Sequence, residues 1–273
     1  MPELPEVETV CRAMAAHLVG RRVTDAWTDG LRLREPLSRT AVRSLVGERI
    51  EAARRRAKFL LFPLTSGRTL LVHLGMTGNL VFRTGQNAEP TAHDHVLLDL
   101  DQGPPLVYTD PRRFGLFKVL TATGLARSKW LRNLGVEPLS DDFDGNFLHT
   151  ACEGRSRPIK NLLLDGHIVV GVGNIYASEA LFGARIRPTT PAGRISRPRM
   201  VRLVAEIKAV LQRSIDHGGT TINDYLGSGE GGYFQQELTV YGRAGEGCLV
   251  CDKPITNKVL SGRSTFYCTT CQH

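Results

Sequence analysis

Four of the six cysteines fall in the last 26 residues, as Cys248-x2-Cys251 and Cys268-x2-Cys271. Two CxxC pairs 16 residues apart have the spacing at which two short knuckles deliver four thiolates to one tetrahedral zinc. The tail is therefore expected to be a metal-nucleated module, since it carries too few apolar residues to fold on a core of its own. Between the pairs, Pro254 to Leu260 and Arg263 to Tyr267 read as the two strands of a β-hairpin, whose tip the metal is expected to hold rigid. Arg263 on that hairpin has a planar guanidinium suited to gripping a phosphate with two N–H groups. Cys11 and Cys152 lie outside any ligand pattern and are expected to be packed thiols.

Upstream of the cysteines the apolar period changes once. Val7, Val10, Cys11, Met14 and Leu18 recur at helical spacing and predict an N-terminal helix from Pro5 to Leu18. Six segments between Arg22 and Leu120 then alternate or run apolar, with Gly or Pro between them, and predict a β-sandwich. After Leu139-Ser140-Asp141-Asp142 the pattern turns helical, most clearly over 159–164, 174–182 and 198–217. The last of these carries the stripe Met200, Val204, Ile207, Leu211, Ile215 and stops at Gly218-Gly219. The expected organisation is an α+β multidomain chain with parts at 1–138, 139–237 and 238–273. Residues 226–236 are too Gly-rich for regular structure and read either as a mobile functional loop or as a linker to the zinc module.

Charge narrows the partner. Lys and Arg number 35 against 27 Asp and Glu, a formal net charge of +8, and most of the excess lies before residue 140. Its densest run is Arg49, Arg54, Arg55, Arg56 and Lys58. Such a surface favours a polyanion, although net charge alone leaves a merely basic soluble enzyme equally open. No apolar run approaches the ~20 residues that cross a bilayer, and three glutamates stand where a signal peptide would be basic and then apolar. The expected setting is cytosolic, with no membrane partner.

The opening Met-Pro-Glu-Leu-Pro-Glu-Val-Glu is chemically unusual. Removal of Met1 would expose Pro2 as a secondary amine, and an α-amino group titrates at roughly 7.7–8, so part of it is nucleophilic at neutral pH. A secondary amine that attacks an aldehydic sugar carbon gives an iminium, which acidifies the neighbouring C–H for elimination of phosphate. Glu3 is placed to exchange a proton with the sugar oxygen, and Glu6 to orient the first helical turn. The octapeptide by itself favours the other reading, a helix start with acids complementing the dipole.

Taken together, Met1 to Val10, the Arg-Arg-Ala-Lys run ending at Lys58, His73-Leu-Gly-Met-Thr-Gly78, Tyr108-Thr-Asp-Pro-Arg-Arg-Phe-Gly115, Val169 to Glu179, Gly218-Gly-Thr-Thr221, Tyr233 to Arg243 and the four cysteines resemble the formamidopyrimidine-DNA glycosylase family over essentially the whole chain. The resemblance implies an N-terminal helix and β-sandwich, a helix-two-turn-helix domain, a zinc finger, and DNA held in the cleft. It implies a bacterial base-excision glycosylase and abasic-site lyase, working as a monomer on duplex DNA that carries oxidised purines or abasic sites, in the cytoplasm at the nucleoid. By the same resemblance Pro2 is the Schiff-base nucleophile, Glu3 the proton donor, Lys58 the donor for β-elimination and Arg263 for δ-elimination. Met76, Arg112 and Phe114 correspond to the residues that fill the gap left by an everted nucleotide.

Asn174 follows Gly171-Val-Gly173 and starts a helix, so its amide and the free N–H groups of the first turn suit a phosphate. A dinucleotide fingerprint fails here, because Tyr176 stands where the third glycine belongs, and no nucleotide cofactor is expected. His93, Arg155 and Lys160 are further candidates for contact with the DNA backbone. Two other functions fit part of the pattern. One is an endonuclease VIII-like glycosylase for oxidised pyrimidines; the other is a zinc-dependent DNA-binding protein without chemistry, against which the joint presence of Pro2, Glu3 and Lys58 argues.

Overall fold

A computed structural model describes residues 2–83, 89–218 and 237–273. These fall into two compact units, one drawn from Met1–Arg132 and the other from Asn133–Gly219 and Tyr233–His273. The Gly-rich stretch 226–236 and the block Gly219 to Thr221 lie outside the described residues.

The first unit opens with α1 (Leu4–Leu18), capped by Glu3, whose N–H donates to Glu6 Oε2 at 2.8 Å. Pro5 sits in the first turn, where its missing N–H is no loss, and the stripe from Val7 to Leu18 is buried as its spacing requires. Eight strands follow: β1 (Val23–Thr28), β2 (Arg54–Arg56), β3 (Phe59–Pro63), β4 (Thr69–His73), β5 (Asn79–Phe82), β6 (Asp94–Leu100), β7 (Leu106–Thr109) and β8 (Leu116–Leu120). They form two antiparallel four-stranded sheets, ordered β1-β6-β7-β5 and β2-β3-β4-β8. One core joins both sheets to α1: Met14 and Leu18 bury with Leu60 and Phe62 of β3, Val72 of β4, Val96 and Leu98 of β6, Tyr108 of β7 and Phe117 of β8. Two five-residue helices escape periodicity because they are set by caps alone: α2 (Arg39–Arg43), capped by Ser38, and α3 (Ala122–Ala126), capped by Thr121.

The second unit packs α4 (Gly145–Cys152), α5 (Ile159–Leu163), α6 (Asn174–Gly183) and α7 (Arg197–Asp216). Here α4 was not legible from period either; Asp144 caps it by accepting the Phe147 N–H at 2.7 Å. Gly145 lets α4 cross α7 closely, since a Cβ there would lie 2.7 Å from the Val201 Cα. Tyr176 on α6 and Ser214 on α7 are joined by a 2.6 Å hydroxyl bond between two buried side chains. The chain ends in a hairpin of β9 (Thr256–Leu260) and β10 (Arg263–Tyr267). Its two-residue turn, Ser261 at φ 47° and Gly262 at φ 75°, has the left-handed conformation that matches strand twist.

Candidate active site and metal centre

Pro2 stands just outside α1, half-buried, beside Glu3 and Glu6, which are 3% and 2% exposed. Lys58 is held near the other end of a short strut. It is the second residue of the two-residue turn Ala57-Lys58 that joins β2 to β3, with Arg56 paired to Phe59. Ala57 carries φ 55°, a conformation that glycine takes without strain and alanine does not. The turn is fixed from below: Arg55 Nη1 donates to the Ala57 carbonyl at 3.1 Å, while Arg55 Nε meets Glu8 Oε2 on α1 at 2.7 Å. Both ends of that ion pair are mostly buried, so solvent screens it little. The helix that begins beside Pro2 thus registers the turn that carries Lys58.

His73 packs its ring against Phe59, 4.8 Å between centroids, and its Nδ1 accepts the Gly75 N–H at 2.8 Å. That bond requires a neutral ring with the proton on Nε2. Burial, followed by the positive charges of Arg34 and Lys58, pushes its pKa down to about 3.

Met76 and Phe114 are 41% and 45% exposed, large apolar side chains outside any core. Arg112 lies over the Phe114 ring at 4.8 Å from its centroid. The two turns that present them are tied together by one carboxylate. Asp110, fully buried, accepts the Thr77 hydroxyl at 2.6 Å and the Gly115 N–H at 2.8 Å. Thr77 in turn accepts the Arg112 N–H at 3.2 Å. Gly75 (φ 68°) is required here, because a Cβ would sit 2.6 Å from the Phe114 and Gly115 backbone. Behind Asp110, His95 places Nδ1 2.7 Å from Asp29 Oδ2 and Nε2 3.0 Å from the Asp110 carbonyl. The sequence reading missed Asp110; an acid at the end of a buried strand and before a proline was the available signal.

The four cysteine sulfurs lie within 4.8 Å of one another, Cys248 to Cys271 at 3.9 Å and Cys251 to Cys268 at 3.5 Å. Tetrahedral zinc with Zn–S bonds near 2.3 Å demands sulfur separations of about 3.8 Å, so the thiolates fit one structural zinc. The Cys271 N–H approaches Cys268 Sγ at 3.4 Å and helps orient it. Gln272, fully buried, accepts the Cys268 N–H at 2.9 Å and donates to the Ile186 carbonyl at 2.8 Å, which fastens the second knuckle to the helices.

The four thiolates that would hold the metal stand at the open end of the hairpin, not at its tip, contrary to the expectation from sequence. Five paired residues at about 3.3 Å each separate the knuckles from the turn. Arg263 is exposed directly after that turn. The tip is held by helices: Asn161 Nδ2 donates to Ser261 Oγ at 2.7 Å, Asn174 Nδ2 to the Ser264 carbonyl at 2.9 Å, and Lys160 Nζ to the Ser264 carbonyl at 3.0 Å and Thr265 Oγ1 at 2.8 Å. Lys160, a candidate from sequence for contact with the DNA backbone, is fully buried against the hairpin. Arg155 is exposed and lines, with Pro191 and Arg194, an open pocket of about 270 Å³; His93 is exposed, and its carbonyl accepts the Asp110 N–H at 3.0 Å. Glu179, also unassigned from sequence, is 6% exposed and binds the backbone N–H groups of Thr239, Val240 and Tyr241 at 2.8–3.0 Å. It anchors the chain entering the zinc module.

A helix-and-sandwich unit with two turns that expose Met76 and Phe114, joined in one chain to a helical unit that bears a four-cysteine hairpin, defines the class of zinc-finger helix-two-turn-helix proteins. Residues 1–117 match the formamidopyrimidine-DNA glycosylase N-terminal domain, 134–225 its H2TH domain, and 245–273 the zinc finger found in FPG and IleRS. The chain is 48% identical to the formamidopyrimidine-DNA glycosylase of Teredinibacter turnerae and 49% identical to that of Stutzerimonas stutzeri, with 100% of each chain covered. Among solved structures it resembles the Thermus thermophilus protein (TM-score 0.86, 38% identity, 99% and 98% covered). It also resembles the Lactococcus lactis protein in complex with DNA containing an abasic site (TM-score 0.90, 31% identity, 99% of each chain covered). The chain belongs to the formamidopyrimidine-DNA glycosylase family.

Proposed function

We propose that this chain removes oxidised purines, 8-oxoguanine and formamidopyrimidines, from duplex DNA and then cleaves the strand by β,δ-elimination through a Schiff base on Pro2. The observation that carries the reading is Pro2 at the head of α1, beside two buried glutamates, with Lys58 pinned to the same helix by the Glu8–Arg55 pair. Membership of the family supports it.

The Pro2 nitrogen, freed of Met1, attacks C1′ as the glycosidic bond breaks and its electrons leave with the base. Glu3 gives a proton to the sugar oxygen, which opens the ring and leaves an iminium between Pro2 and C1′. Loss of a C2′ proton expels the 3′-phosphate, with Lys58 donating to the reacting groups. Loss of a C4′ proton then expels the 5′-phosphate, with Arg263 donating to the departing oxygens. Water hydrolyses the imine and restores the amine. Before any of this the damaged nucleotide must leave the stack at a cost of a few kcal/mol. Met76, Arg112 and Phe114 occupy the space it vacates, and their exposure without core contacts suits that task. His93, Arg155 and Asn174 are assigned to the phosphate backbone, while zinc supplies fold rather than chemistry.

Borohydride trapping tests the reading. An 8-oxoguanine duplex is expected to yield a covalent adduct with the native chain and none with Pro2→Gly. Faster trapping on thymine glycol than on 8-oxoguanine would instead place the chain with the oxidised-pyrimidine enzymes. A native chain that cuts damaged strands normally with a blocked Pro2 nitrogen would overturn the mechanism.

A further inference from the structure

Four side-chain hydrogen bonds from the helices converge on a stretch of only five residues at the hairpin tip, where Thr265 Oγ1 also donates to the Arg263 carbonyl at 3.2 Å. Asn161 Nδ2 donates to the Ser261 hydroxyl oxygen inside the turn, while Lys160 and Asn174 both donate to the Ser264 carbonyl one residue beyond Arg263. Lys160 also holds Thr265, and both are fully buried. Asn161 is 8% exposed, so its amide is lost to water unless Ser261 receives it. Arg263 itself is exposed and lies between the clamped residues.

We propose that Asn161, supported by Lys160, is a positioning residue for Arg263 in the second elimination. The inference rests on the assignment of δ-elimination to Arg263 made above. In that step the C4′–H bond yields its proton to solvent base, a C4′–C5′ double bond forms, and the C5′–O bond breaks with its electrons on the departing phosphate. A guanidinium serves that leaving group only if its donors lie within hydrogen-bond reach, so a tip that drifts by about 1 Å loses much of the effect. The first elimination precedes it and does not call on Arg263, which makes the two products an internal control.

The experiment compares Asn161→Ala, Ser261→Gly and Arg263→Ala with the zinc-loaded native chain on a duplex with an abasic site. It reads the δ-to-β product ratio and the borohydride-trapping rate. Ser261→Gly removes the hydroxyl while keeping a residue at ease with φ 47°, so it isolates the bond from the turn and still decides if Asn161→Ala folds poorly. Both clamp variants are expected to lower the ratio about fivefold, the effect of one buried hydrogen bond, with trapping unchanged. A native ratio in both, with δ product lost in Arg263→Ala, overturns the clamp and leaves the assignment of Arg263 intact. A native ratio in Arg263→Ala overturns that assignment instead.

Discussion

Asp110→Asn isolates what a single buried carboxylate does for the two wedge turns. The side chain is fully buried and accepts the Thr77 hydroxyl at 2.6 Å and the Gly115 N–H at 2.8 Å. Hydrogen bonds to an ionised acceptor contribute about 1.5–3 kcal/mol each. The amide keeps one acceptor oxygen, which the Gly115 N–H claims because that donor cannot turn. Its NH2 then faces Thr77, whose hydroxyl must rotate to accept while already accepting from Arg112. One strong bond becomes a weak, contested one, so the expected loss is about 2 kcal/mol. Asp110→Ala strands both donors and should cost about 4 kcal/mol. Urea unfolding measures the stability; excision of 8-oxoguanine from a duplex, set against trapping at a preformed abasic site, measures the function. If Met76 and Phe114 fill the gap left by an everted nucleotide, as proposed above, excision should fall more than trapping, because it is the step that needs their two turns held together. An Asp110→Asn chain as stable as the native one to within about 0.5 kcal/mol would refute the bond accounting. Equal losses in the two assays would refute the wedge argument.

Three further expectations follow from the geometry. Glu48 feels burial, which raises its pKa, but Arg68 at 2.6 Å and the donors of Ser66 and Thr65 outweigh it and hold the carboxyl down at about 2. A depressed folded pKa gives stability that is full above the unfolded value of 4.5 and drains as pH falls from there to about 2. Acid titration of Glu48→Gln should therefore lack roughly 2–3 kcal/mol of that dependence. His73, with its pKa near 3, should show a neutral, Nε2-protonated ring in nitrogen NMR spectra at pH 5, and an imidazolium there would contradict its bond to Gly75. Chelation of the metal should abolish hydrogen-exchange protection in Thr256–Leu260 and Arg263–Tyr267 while leaving the sheets protected; persistent hairpin protection would show that the thiolates are not what holds it.

Much of the architecture was legible because it rests on local rules. The α1 stripe, the run of strands and the α7 stripe each repeat a period over enough residues to declare a face, and the cysteine spacing fixes a metal by ligand chemistry. The short helices α2 and α3 escaped because one cap and little more than one turn carry them, and α4 because its eight residues repeat the period too few times to declare a face. The site was legible as residue types and opaque as linkage. Lys160 reads as a candidate for contact with the DNA backbone, and nothing near it in sequence announces that Ser264 and Thr265, about a hundred positions away, accept from its ammonium. Asp110 likewise acts on Thr77, 33 positions earlier. Ala57 at positive φ is a further case: the sequence reads as one continuous strand there, and the Arg55 contact with its carbonyl, invisible in the sequence, helps hold the turn.

The sealed ammonium of Lys160 has a consequence for how this molecule came to be assembled. A cation shut away from water is tolerable only while its acceptors stay in place, and two of them, the Ser264 carbonyl and Thr265 Oγ1, belong to the metal-bearing tail. Cutting the chain ahead of residue 245 would take those two acceptors away from a fully buried ammonium. The C-terminal segment is thus no detachable accessory, and grafting it elsewhere, or shortening the helical half without it, should yield two fragments that each melt early.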